Sequence, residues 1–144
     1  AQQDYIATIT ATRLAGAIPV FAVGTTTAAP AVIPAGAIVN HIFFLQTTAP
    51  SALTGGVITV NIAGVDVGTI TPTTTGGRIG IAFTNTAAVA TVLNNVGTTD
   101  ATVTFTATAI TAITGTLAGT FDIQYTSRNP DGSIIAYGAG LTNN

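Results

Sequence analysis

His41 is the one imidazole in the chain, and so the one side chain of the usual general-base kind. A Ser-His-Asp arrangement around it would draw its hydroxyl from Ser51, Ser127 or Ser133. No Gly-x-Ser-x-Gly elbow presents any of them as a nucleophile. His41 stands in the apolar run Val39-Asn40-His41-Ile42-Phe43-Phe44-Leu45. Period-two alternation places it beside Val39, Phe43 and Leu45. On such a face a histidine is a packing or contact residue with one satisfied nitrogen. No catalytic residue is assigned, and the expectation is that the protein is not an enzyme.

Metal chemistry has little to work with. The chain has no cysteine, and its five carboxylates, Asp4, Asp66, Asp100, Asp122 and Asp131, are scattered. Neither a zinc set nor an Asp-x-Asp-x-Asp calcium loop is present. Asp131, in Asn129-Pro130-Asp131-Gly132, is read as hydrogen-bonding its own turn rather than binding calcium. No cofactor is expected. Thr102, Thr104, Thr106 and Thr108 form one rank of hydroxyls, read as a solvated sheet face; one rank without a repeat does not make an ice-binding surface.

The cations are Arg13, Arg78 and Arg128, with no lysine. Arginine and aromatic residues are what protein interfaces favour. Arg13, His41, Phe43, Arg78 and Arg128 are therefore the interface candidates. Three arginines are too few for a nucleic-acid footprint.

These residues must be positioned by strands. Thr, Val, Ile and Gly dominate, and Gly and Pro punctuate at short intervals. Residues 4–13 alternate Tyr5, Ala7, Ile9, Ala11 against Ile6, Thr8, Thr10, Thr12 and predict a strand. Residues 19–23 are a short apolar run, and 24–30 read as a loop. A turn at Pro34-Ala35-Gly36 opens a long strand over 37–47, apolar enough on both faces that both are expected to be covered.

Residues 49–56 read as a loop. Next comes a hairpin, 57–62 and 65–70, joined by Ala63-Gly64. Its two-residue loop sets Ile62 against Val65, Asn61 against Asp66 and Val60 against Val67. Residues 71–77 are a loop and 78–84 a strand. Residues 85–95 fit either a short helix capped by Asn85 or Thr86, or a strand. A regular strand follows over 101–109, then a loop or ragged edge over 110–118. Residues 119–127 put Phe121, Ile123 and Tyr125 on one face; 128–132 form a turn, and 133–137 return from it.

Eight or nine strands with frequent turns predict an all-β, single-domain antiparallel sandwich, or a barrel. The domain spans 1–144, with loose ends at 1–4 and 138–144.

Only 6% of residues are charged, against about 25% in an ordinary soluble domain. A folded monomer of 14.2 kDa exposes roughly 6,800 Å². Eight charged side chains cover a minor part of that, and a net charge of −2 gives little repulsion. Such a chain suits a life buried in an assembly. No apolar run is long enough for a membrane-spanning helix. The start AQQDYIATIT shows no secretory signal, so cytoplasmic synthesis is expected.

Pro34-Ala35-Gly36 before a long apolar strand, Gly55-Gly56 opening a hairpin, and Gly119/Phe121/Ile123/Tyr125 in a closing strand together resemble the small decoration (cement) proteins of tailed phages. The resemblance covers roughly residues 30–127. That family has β-sandwich folds, often jelly rolls, which sit on the capsid as dimers or trimers. The resemblance implies a jelly roll, the major capsid protein and the chain itself as partners, and a place on the virion exterior after synthesis in the host cytoplasm. It carries no catalytic residues. A carbohydrate-binding or adhesin-like module is the other reading, with Tyr5, Tyr125 and Tyr137 as stacking candidates.

Overall fold

The computed structural model describes residues 24–27 and 30–130. The expected strands over 4–13 and 133–137, the run 19–23, and Arg13, Asp131, Tyr5 and Tyr137 lie outside the described residues, as do both expected loose ends.

Among the described residues nine strands and one short helix follow in order: β1 (Gly24–Thr27), β2 (Ala31–Ile33), β3 (Ile38–Thr48), β4 (Ala52–Ile62), β5 (Val65–Ile70), β6 (Gly77–Gly80), β7 (Ala82–Phe83), α1 (Ala87–Asn94), β8 (Ala101–Thr114) and β9 (Ala118–Thr126). All the pairings are antiparallel. The larger sheet runs β1-β8-β4-β5-β7, with β2 also on β8; the smaller runs β6-β3-β9. The protein is thus an all-β sandwich.

β1 and β2 both lie on β8, Thr27 opposite Thr106 and Ala31 opposite Val103. Together they act as one edge strand, interrupted around Pro30. Proline cannot donate to a ladder and is tolerated at an edge. The loop expected over 24–30 is therefore corrected, since its first four residues are β1.

The core is one apolar cluster between the sheets, with Ile33, Ile42, Phe44, Ile58, Val60, Ile62, Phe105, Phe121 and Ile123 fully enclosed. Its centre is aromatic. Phe105 of β8 stacks on Phe121 of β9 at 3.7 Å between ring centroids, and Phe121 meets Phe44 of β3 at 5.0 Å. That stack fixes β9 over β8. On the opposite flank, the chain steps from β6 of the small sheet to β7 of the large one through Ile81. The strand expected over 78–84 is thus two short strands in different sheets, because buried Ile81 turns the chain inward and bonds its amide to Ile42 O at 2.9 Å.

Other boundaries moved for local reasons. β4 begins at Ala52, within the expected loop 49–56. Thr54 pairs with Ala112 and Gly55 with Ile110, and the extra residue is absorbed at a bulge where Gly55 and Gly56 take positive φ. β8 continues to Thr114 and turns at Gly115. The hairpin is where it was expected: Ile62 faces Val65 and Asn61 faces Asp66. Val60 pairs with Gly68 instead of Val67, since a bulge leaves both Val67 and Gly68 buried. Residues 85–95 resolve as the helix, with Thr86 as its cap accepting the Val89 amide, and Val89 and Val92 turned inward against β5 and β3.

Candidate functional site

The feature that deserves a function is the outer face of the small sheet, and β3 shapes it. Along β3, Val39 is buried, and so are Ile42, Phe44 and Gln46. Strict alternation would have kept Val39 on the face of His41. Register explains the difference: Val39 pairs with Tyr125 but His41 pairs with Gln124, so Asn40 is an extra residue in a bulge. A bulge flips side-chain phase. The expected grouping of Val39 with His41, Phe43 and Leu45 is corrected, because Val39 belongs to the core. His41, Phe43 and Leu45 remain together, half-buried, on the outside.

Cross-strand rows complete the face. Gln124 lies opposite His41; Asp122 and Gly80 flank Phe43; Thr120 and Arg78 flank Leu45. The His41 ring stacks on Phe43 at 4.3 Å and tilts toward Phe83 of β7 at 5.8 Å. Arg78 lays its guanidinium over the other side of Phe43, 3.7 Å from the centroid. The result is a row, Phe83–His41–Phe43–Arg78. Gly80 makes room for it, because a Cβ there would sit 3.2 Å from His41 Cε1 and 3.6 Å from Phe43 Cε1.

His41 Nδ1 lies 2.8 Å from the Ile42 amide and 3.2 Å from Ile42 O, so its own backbone neighbour occupies that nitrogen. Among the described residues no serine or carboxylate bonds to His41. Ser51 Oγ instead donates to Thr114 O at 3.1 Å. Asp122, in the same rows, has its Oδ1 buried without a hydrogen-bond partner.

Of the five interface candidates, His41, Phe43 and Arg78 come together here. Arg128 does not join them. Its Nε donates to Gly36 O at 2.7 Å and its Nη2 to Asn94 O, tying the Pro34-Ala35-Gly36 turn to the C-terminal end of α1. Cations suit that end of a helix. The same turn receives Asp100, whose Oδ1 accepts the Ala35 amide at 3.0 Å. Asp66 accepts from Asn61 Nδ2 at 2.8 Å. Charges that seemed free in the sequence are thus largely internal struts, and among the described residues no cluster of groups that could hold a metal ion occurs.

Sequence reasoning missed Phe83, Asp122 and Gln46. Phe83 reaches the face from the other sheet, which no strand pattern reveals. Gln46 is 4% exposed and holds residue 73 of the following loop from both ends, Nε2 to Thr73 O at 2.7 Å and Thr73 N to Oε1 at 3.0 Å. Its signal was available: it shares core-facing parity with Phe44. Tyr125, a stacking candidate for a glycan, is 9% exposed and part of the core, so that assignment is corrected.

No helix among the described residues is long and apolar enough to cross a membrane. Comparison with family models, curated proteins and solved structures gives no match.

Proposed function

We propose that this chain is a structural protein that docks on an ordered protein lattice, in the manner of a phage decoration protein on the major capsid protein, and reinforces it from the outside. The observation that carries the reading is the row Phe83–His41–Phe43–Arg78 on the outer face of the small sheet. The outer face of an antiparallel sheet in a free monomer is ordinarily polar and solvated. Here it is aromatic, with one cation lying flat on a ring. Aromatic side chains and arginine are the residues that carry binding energy at protein contacts.

The small number of charged residues supports the same reading. A 1,500 Å² contact that is half apolar releases about 19 kcal/mol gross at about 25 cal/mol per Å², before the costs of association. Repetition over a lattice adds avidity. In this proposal the protein acts as a homodimer or homotrimer on the virion exterior and performs no catalysis.

The test is co-sedimentation of the full chain with assembled capsids from its source. Saturation at a fixed ratio to the major capsid protein is the expected result, as is at least tenfold weaker binding by Phe43→Ser, about the effect of losing one buried anchor. A chain that stays in the supernatant, or a Phe43→Ser variant that binds as well as the wild type, removes the proposal. Specific signals on a glycan array would move the assignment to carbohydrate binding.

A further inference from the structure

Arg78 is a cation that its own chain leaves unmet. It is exposed, and among the described residues no hydrogen bond or ion pair reaches it. Arg128 is the opposite case, with Nε and Nη2 both donating to backbone carbonyls. Asp122 is an anion on the same face, but it lies opposite Phe43 on β9, whereas Arg78 lies opposite Leu45 on β6. β3 stands between the two.

A second observation is that Arg78 is held in place. Its guanidinium carbon is 3.7 Å from the Phe43 centroid. The other side of that ring stacks on His41 at 4.3 Å, and His41 tilts toward Phe83. The ring stack therefore fixes the plane of the cation. Guanidinium N–H donors all lie in that plane, so they project from its edge while its face is occupied. A long side chain restrained this way loses less freedom when a partner arrives.

Charge decides what meets it. In a contact that excludes water, a lone cation is costly to bury unless a counter-charge comes with it. Neutral carbonyls, which serve Arg128, do not supply that charge. A phosphate group carries about 1.5 to 2 negative charges at pH 7, more than one guanidinium balances. The chain has no lysine to add, and Asp122 on the same face repels the excess. A carboxylate carries one charge and matches the fork with two parallel N–H···O bonds.

We propose that Arg78 receives a single carboxylate of the lattice protein, an aspartate or glutamate side chain gripped bidentately at the end of the aromatic row. This rests on the docking role proposed above and names what the partner presents at that point. The ring stack shields one flank of the pair, and a pair shielded from solvent is screened weakly by salt.

Co-sedimentation of the full chain with assembled capsids tests it, the capsids being either untreated or amidated at their carboxylates with carbodiimide and glycinamide. On untreated capsids Arg78→Met is expected to bind at least about tenfold more weakly than wild type. Arg78→Lys is expected to recover less than about threefold of that loss, because an ammonium neither forms the fork nor lies on the ring. Both variants are expected to melt within about 2 °C of wild type, since the side chain is exposed. Amidation is expected to weaken wild type at least about tenfold more than it weakens Arg78→Met, the signature of one shared pair. The proposal is overturned by Arg78→Met that binds within about twofold of wild type, or by Arg78→Lys that binds like wild type. Amidation that weakens wild type and Arg78→Met equally, or leaves wild type intact, also overturns it, because the acceptor is then no carboxylate. Wild type that fails to bind untreated capsids removes the docking role and this inference with it; the other outcomes remove this inference alone.

Discussion

Ala63 has φ of 51°, in the left-handed region, and Gly64 follows at 87°. Two such residues in succession are what a two-residue hairpin loop of matching twist requires. Alanine is an expensive choice there, since its Cβ crowds the backbone by about 1 kcal/mol. Asparagine tolerates the conformation. Ala63→Asn is expected to stabilise the fold by about 0.5–1 kcal/mol, seen as a higher urea midpoint with an unchanged slope. The loop itself was legible from Ala63-Gly64 between two alternating runs. The handedness of Ala63 was not, because alanine carries no mark for it. Gly36 is the contrasting case: its φ is 79° and a Cβ would lie 1.9 Å from Asn129 O, so glycine is obligatory there.

At the scale of elements, strands were readable wherever a local pattern decides them. β3, β5 and β9 stand within a residue or so of their expected bounds because alternation and flanking turns define them. Bulges were not readable. The extra Asn40 in β3 depends on β9, which is distant in sequence, and the shift after Val60 depends on how β5 pairs back on β4 rather than on any residue pattern within β4. For the same reason the site emerged only in part: His41 and Phe43 are two apart on one strand, whereas Arg78 and Phe83 arrive through pairing and through the crossing at Ile81.

Arg128 belongs to this scale, since it joins a turn, a helix end and the residues after β9. Arg128→Met is expected to cost about 2–3 kcal/mol, two charge-assisted bonds partly offset by solvent. The corresponding loss in melting temperature is roughly 5–10 °C. Scanning calorimetry measures it, and binding to capsids should remain within about twofold of wild type. The Phe43→Ser variant should reverse that pattern, with binding lost and stability nearly kept, because the Phe43 side chain lies outside the core.

For the whole molecule, the scarcity of charge sets how the proposed association responds to ionic strength. Of the five charged side chains among the described residues, Asp66, Asp100 and Arg128 are engaged internally, and Asp122 lies on the outer face with its Oδ1 buried. Arg78 is the one cation among the described residues on that face. Screening has little to act on. Raising sodium chloride from 0.1 to 1 M is expected to change the capsid dissociation constant by less than about threefold, measured by the same sedimentation at both salts. A loss of tenfold or more assigns the contact to ion pairs. This low-charge character was legible from composition alone; which face it would concentrate on was not, because only packing separates buried aromatics from displayed ones.

The placement of β8 has a consequence for synthesis. β1, β2 and β4 all take β8 as their neighbour, and Ile33 finds its partner only at Ala101. At about 5–20 residues per second, a ribosome needs roughly 3–14 s to close that gap. Until then the nascent chain can pair β4 with β5, β5 with β7 and β3 with β6. β1 and β2 wait without their partner, at the mercy of whatever else is sticky in the cell.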